Sequence, residues 1–147
     1  MPPYVIRKSS IAGRGAFATR RIAKGERIVE YRGERINQEE ADRRYPEIPG
    51  EPHHTFLFEL DENTVVDGAV RGNSSRFMNH SCNPNCEAII EDDRIWIEAL
   101  KTIKEGTELV YDYHFILEER HTPAAKKRYP CNCGAPNCRG TILAKKR

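Results

Sequence analysis

Hydrophobic residues alternate with polar ones in short runs along this chain, and no long amphipathic stripe appears. The clearest case is a hairpin. Residues 87–90 and 94–99 (Arg94-Ile95-Trp96-Ile97-Glu98-Ala99) alternate on either side of the turn residues Glu91-Asp92-Asp93. Residues 5–6 and 15–18 predict two strands around a turn at Ala12-Gly13-Arg14. Residues 27–31 and 34–36 predict a strand pair broken at Gly33. Alternation recurs at 56–60, and shorter strands are predicted at 65–66 and 108–111. Asn37 reads as a helix N-cap with Glu40 three residues later, predicting about two turns of helix through Tyr45. Asn73 caps a single turn through Phe77. Residues 46–52 form a loop rich in proline and glycine. Beyond Phe115 the pattern fades into a charged linker. Turns recurring every 8–12 residues or so predict a mostly β fold, and the missing long helices exclude a doubly wound sheet or a bundle.

Composition narrows this picture. A chain of 147 residues suits one domain, and 38% hydrophobic residues against 31% charged allow a real core. The net charge of +2 is too small to argue for nucleic acid. The basic clusters at 126–128 and 145–147 read as solvated tails. No run approaches the roughly 18 apolar residues of a membrane helix. The start, Met1-Pro2-Pro3-Tyr4, has no apolar signal core, which predicts an intracellular protein.

Five cysteines sharpen the chemistry: Cys82, Cys86, Cys131, Cys133 and Cys138. An odd count with three thiols crowded together does not suit a secreted disulfide framework and points to a metal in a reducing compartment. The run from Cys131 to Cys138 has the spacing C-x-C-x4-C, in which three thiolates can wrap one face of a zinc ion. Structural zinc takes four ligands, so a fourth must come from elsewhere. Cys82, Cys86, His80, His114 and His121 are the candidates in this chain. The polar tail has little core of its own, so metal binding should supply much of its folding energy.

Gly13-Arg14-Gly15-Ala16-Phe17-Ala18 fits the G-x-G-x-x-A of dinucleotide loops. That motif binds pyrophosphate only where it opens a helix after a strand, and Gly25 follows too soon for one. What survives is a turn whose glycines permit close backbone approach.

Two further segments stand out. Arg76-Phe77-Met78-Asn79-His80-Ser81-Cys82-Asn83-Pro84-Asn85 is dense in hydrogen-bonding groups. Glu108-Leu109-Val110-Tyr111-Asp112-Tyr113 is a strand ending in two phenols on one face. Together with Gly13-Arg14-Gly15, Tyr31-Arg32-Gly33-Glu34 and the cysteine tail, in this order, they make the chain resemble the SET-domain protein lysine methyltransferases. The resemblance runs from about residue 4 to residue 143, and the tail resembles the post-SET segment.

The resemblance implies a SET-type fold of several small β-sheets with a C-terminal pseudoknot. It divides the chain into a SET domain at 1–115, a linker at 116–128 and a zinc-binding tail at 129–147. It implies S-adenosylmethionine as methyl donor, held by Gly13, Arg14, Gly15, Arg76, Asn79, His80, Tyr113 and, through adenine, Ile142 and Leu143. Tyr113 matches the catalytic tyrosine. Tyr31 lines the lysine channel, and Tyr111 occupies a phenylalanine/tyrosine switch position that favours mono- or dimethylation. Cys82 matches the fourth zinc ligand, leaving Cys86 over. The implied partner is a protein presenting a lysine, with a histone or histone-like tail foremost; a non-histone substrate such as a ribosomal protein keeps the same chemistry. The location is the nucleus in a eukaryote, or the cytoplasm or a host cell for a bacterial protein.

Two positions depart from the family pattern. Phe56 stands where many members carry a tyrosine, and Thr141 where many carry an aromatic residue. The rival reading is a catalytically weak SET-like module that binds a peptide or nucleic acid; the intact Asn79, His80 and Tyr113 argue against it. With no pre-SET cysteine cluster or reader domain, a stand-alone enzyme is expected, taking specificity from residues 39–54 and the tail. Glu39, Glu40, Asp42, Glu47 and Glu51 in that region are either a solvated helix face or an attraction for a basic peptide.

Overall fold

The computed structural model describes residues 2–11, 13–46, 56–113, 131, 133 and 135–142. Among the described residues, ten strands and one α-helix make a mostly β architecture, as the alternation predicts. One sheet has the order β1-β2-β10-β8-β9-β3, with β7 also paired to β10. These strands are β1 (Tyr4–Lys8), β2 (Arg14–Ala18), β3 (Arg27–Tyr31), β7 (Asn79–His80), β8 (Cys86–Glu91), β9 (Arg94–Ala99) and β10 (Glu108–Tyr111). A second, three-stranded sheet has the order β4-β6-β5, from β4 (Glu34–Ile36), β5 (Leu57–Glu59) and β6 (Val65–Asp67).

The predicted hairpin is β8 with β9, in register from Cys86 opposite Ala99 to Glu91 opposite Arg94. Its two turn residues, Asp92 and Asp93, have φ of 52° and 61°, the doubly left-handed geometry of a type I′ turn. The glycine motif opens β2, a strand, so the structural test for a dinucleotide loop fails as the sequence indicated.

One expectation is corrected. Residues 27–31 and 34–36 are both strands, but they do not pair with each other. β3 pairs with β9, and β4 pairs with β6 in the other sheet. The chain turns a corner at Gly33, which lies against the Asp67 backbone so closely that a Cβ there would collide with the Asp67 carbonyl. That close approach delivers β4 to β6.

Both caps form as read. Asn37 Oδ1 accepts from the Glu40 amide at 2.8 Å and starts α1 (Gln38–Arg44). Asn73 accepts from the Ser75 amide at 3.1 Å, beginning a single 3-10 turn, Ser74–Phe77. Helix α1 buries only Ala41. It is held to the small sheet by Arg44, which reaches Glu34 at 2.6 Å, Glu40 at 2.7 Å and Asp67 at 3.1 Å. Asp67 has no exposed surface; the Tyr45 hydroxyl (2.9 Å) and the Ala69 amide (3.0 Å) complete its carboxylate. Glu40 is thus engaged with Arg43 and Arg44, which leaves less of the acidic face for a basic peptide. Glu47 and Glu51 lie outside the described residues.

The main core gathers Ala16, Ile22, Met78, Cys86, Ile97, Ile103, Leu109 and Tyr111. Strand β10 therefore runs through the core and carries its last residues to the site. The linker predicted at 116–128, and the segment that would thread the implied pseudoknot, fall largely outside the described residues.

Candidate active site and metal centre

The short strand β7 sets the site. It pairs parallel with β10, bringing Asn79 opposite Val110 and His80 opposite Tyr111. A two-residue strand has no periodicity to read, so this pairing leaves no mark in the sequence. Just past β10, the Tyr113 amide donates to His80 Nδ1 at 3.1 Å and the Tyr113 hydroxyl donates to the Met78 carbonyl at 2.6 Å. The other ring nitrogen, Nε2, faces both Cys82 Sγ at 3.5 Å and the Arg139 guanidinium at 3.3 Å.

Five rings run in sequence across this region. Tyr31 and Phe58 have centroids 5.3 Å apart, Phe58 and Tyr111 6.3 Å, Tyr111 and Tyr113 4.9 Å, and Tyr113 and His80 5.2 Å. The Tyr31 hydroxyl donates to the Phe56 carbonyl at 2.5 Å. Phe56 thus serves this contact through its backbone, whatever its side chain. Burial pushes the phenols of Tyr31, Tyr111 and Tyr113 above the ordinary tyrosine value, so all three keep their protons at neutral pH.

On the other side of β7, Asn79 joins the glycine loop to β10. Its Nδ2 lies 2.9 Å from the Arg14 carbonyl, 3.2 Å from Ser9 Oγ and 2.8 Å from Glu108 Oε2. Ser9 donates to the same carboxylate, at 2.8 and 3.0 Å. A Cβ on Gly15 would collide with the Glu108 carboxylate, whereas one on Gly13 would meet nothing. Gly15 therefore admits Glu108, and Gly13, at φ 28°, leaves open space beside its backbone. The Arg76 guanidinium lies 4.4 Å from the Phe77 ring centroid and that of Arg14 6.0 Å. The loop, Asn79, His80, Arg14 and Arg76 are thus gathered in one region. Leu143 lies outside the described residues.

Cys82, Cys131, Cys133 and Cys138 converge, with all four sulfurs within 4.8 Å of one another. Four sulfurs about 2.3 Å from a central zinc stand about 3.8 Å apart, so the donors fit a tetrahedral ion in both number and chemistry. Cys82 and Cys131 are separated by 4.0 Å. Backbone amides of Arg139 and Gly140 point at Cys82 Sγ (3.3 Å) and Cys138 Sγ (3.4 Å), an arrangement that stabilises thiolates. Cys86 is completely buried in the main core, away from this group. His114 and His121 lie outside the described residues.

Sequence reasoning singled out neither Glu108 nor Ser9 nor the pairing of Arg139 with Asp112. Glu108 and Asp112 belong to the segment 108–113, where the alternation does not mark one polar residue above another. Ser9 carries no local signal.

The family model described as SET domain matches residues 13–114. The chain is 40% identical over 136 residues to the histone-lysine N-methyltransferase trithorax of Drosophila virilis, covering 90% of this chain and 3% of that protein. It is 42% identical over 147 residues to the H3 lysine-4 specific histone-lysine N-methyltransferase of Saccharomyces cerevisiae, covering 95% of this chain and 13% of that protein. It is 40% identical over 136 residues to histone-lysine N-methyltransferase 2B of Homo sapiens, covering 90% of this chain and 5% of that protein. The chain therefore spans only a small part of the length of these relatives.

Proposed function

Because the chain belongs to the SET-domain family, we propose that it is a protein-lysine N-methyltransferase that uses S-adenosylmethionine and acts on a histone tail. The observation that carries this reading is the meeting at β7 of two segments far apart in sequence. His80 and the half-buried Tyr113 sit on one side, and the Asn79–glycine loop sits on the other. A methyl acceptor channel and a donor pocket need to share one wall of this kind.

S-adenosylmethionine, when bound, supplies an electrophilic methyl group on a positively charged sulfur. The chain's own residues do the rest. Lysine has an ordinary pKa of about 10.4 and must lose its proton to attack. The row Tyr31, Phe58, Tyr111 and Tyr113 forms a largely apolar wall, and desolvation there disfavours the ammonium form. Tyr113 keeps its own proton on the Met78 carbonyl, so it acts as a lone-pair acceptor toward developing positive charge, not as a general base. Alignment of donor and acceptor is the main contribution, worth up to about 7–11 kcal/mol in favourable systems.

Cys82, Cys131, Cys133 and Cys138 hold zinc in this reading, and the metal has a structural part only. It fastens the tail two residues after His80. Tyr111 favours mono- or dimethylation, because a hydroxyl at that position can retain water where a further methyl would go. The relatives' specificity makes lysine 4 of histone H3 the first candidate substrate, and a histone substrate makes the nucleus the working compartment. No helix among the described residues is long and apolar enough to cross a membrane. The test is transfer of labelled methyl to recombinant histones and to H3 tail peptides with lysine 4 replaced by arginine. Labelling of H3 that disappears with that replacement supports the reading; no transfer to any histone or peptide overturns it.

A further inference from the structure

Among the described residues, Glu108 differs from the other half-buried and buried carboxylates that accept side-chain hydrogen bonds; the exposed Asp42 and Asp61 also accept only from neutral donors. Asp67 and Glu34 face Arg44, Asp112 faces Arg139, and Glu98 faces Arg27. Glu108 receives only neutral donors, the Ser9 hydroxyl and the Asn79 amide, and no cationic side chain among the described residues pairs with it. A carboxylate offers about four acceptor positions, and two donor groups leave some of them open. It is half-buried, so water solvates it incompletely. It also presses on the backbone of Gly15, where any larger residue would collide with it. Nothing but a backbone without a side chain separates this charge from the loop that borders the donor pocket.

We propose that Glu108 is the counter-charge for the α-ammonium group of S-adenosylmethionine; this rests on the methyl-donor reading above. The amino-acid end of that molecule carries an ammonium and a carboxylate. The site offers charges of both signs: the Glu108 carboxylate on one side of Asn79, and the guanidinium groups of Arg14 and Arg76 gathered at Phe77. Ser9 and Asn79 fix the Glu108 carboxylate with neutral hydrogen bonds and leave its negative charge uncompensated until a cation arrives. The glycine loop then contributes shape, and Glu108 contributes charge selectivity. Gly15 has a reason to be glycine that does not depend on contact with the ligand.

The test is calorimetric binding of S-adenosylmethionine, S-adenosylhomocysteine and the des-amino analogue of S-adenosylhomocysteine to the zinc-loaded chain and to its Glu108→Gln variant. Glutamine keeps the shape of the side chain, and the Ser9 hydroxyl can donate or accept to suit it. The expected result is a loss of about tenfold or more for both amine-bearing ligands and less than about twofold for the des-amino analogue. Equal loss for all three ligands would mean that Glu108 only shapes the loop, and an unchanged affinity for S-adenosylmethionine also overturns the inference. If the variant does not fold, the unaltered chain decides: the des-amino analogue should bind it at least about tenfold more weakly than S-adenosylhomocysteine, and equal binding overturns the inference. Failure of the unaltered chain to bind S-adenosylmethionine at all refutes the methyl-donor reading itself.

Discussion

Arg139 and Asp112 form a two-pronged ion pair. Nη1 reaches Oδ2 at 3.0 Å and Nη2 reaches Oδ1 at 3.2 Å, while the Arg139 backbone amide points at Cys82 Sγ. Asp112 stands between the two site tyrosines, and Arg139 directly follows the last cysteine of the tail. The tail is thus joined to the segment after β7 through the sulfur cluster and to the end of β10 through this pair.

Two fastenings predict a graded response to metal removal. Chelation of zinc from the native chain is expected to weaken S-adenosylmethionine binding several-fold, because the tail is tied to the segment carrying His80. In the Arg139→Ala variant the same chelation should reduce affinity further, since the second fastening is gone. Calorimetry before and after chelation checks both. Unchanged affinity after complete metal removal would refute the coupling.

Tyr113→Phe removes the hydroxyl that donates to the Met78 carbonyl. Turnover is expected to fall by about a hundredfold or more, with S-adenosylmethionine affinity within about twofold of the original, because the lost interaction belongs to the transition state. Single-turnover kinetics alongside calorimetry separates the two. Near-normal turnover would remove Tyr113 from the mechanism.

Tyr111→Phe is expected to shift products from mono- and dimethyl-lysine toward trimethyl-lysine. The Tyr111 ring is almost wholly buried between Phe58 and Tyr113, so loss of one hydroxyl enlarges the space without moving the ring. Mass spectrometry of a methylated peptide reads the product directly. Efficient trimethylation by the unaltered chain would contradict the assignment.

Gly15→Ala forces the Glu108 carboxylate aside and disturbs the Ser9–Glu108–Asn79 contacts; Gly13→Ala meets open space but is strained by its positive φ. The expected order of damage to S-adenosylmethionine affinity is Gly15→Ala well above Gly13→Ala, measured on folded protein by calorimetry. The reverse order would make Gly13 the tighter contact.

Cys86 sets an alkaline limit. Burial pushes its thiol up from an ordinary 9 to about 12. The folded state therefore holds its proton more tightly than the unfolded chain does. The associated stability is fully present below about pH 9 and is lost progressively as pH rises from 9 to 12. The buried phenols of Tyr31 and Tyr111, raised from 10, add to the loss above pH 10. Melting temperature should fall steeply over this range and fall less in a Cys86→Ala variant measured against its own neutral-pH value. At pH 8 Cys86 should resist a thiol reagent until the chain is unfolded.

Sequence alone determined the local pieces. The Asp92-Asp93 turn, the Asn37 and Asn73 caps and the alternation in β9 are set by neighbouring residues, and those interactions are present in the chain before it folds. Three cysteines of the tail were legible for the same reason: their spacing is itself the chelating geometry. Tertiary structure decided which strands are neighbours, because a period of two specifies a face and never a partner; so β3 and β4, adjacent in sequence, part into different sheets. It also decided between Cys82 and Cys86. Only three residues lie between them, yet Cys86 is buried in the core and Cys82 meets the tail. The charge environment of Glu108 was likewise invisible in sequence, since Ser9 and Gly15 from the β1–β2 hairpin and Asn79 from β7 approach it from two distant parts of the chain. Long-range contacts of this kind exist only once the core has closed, and it is they that turn a strand end into a site.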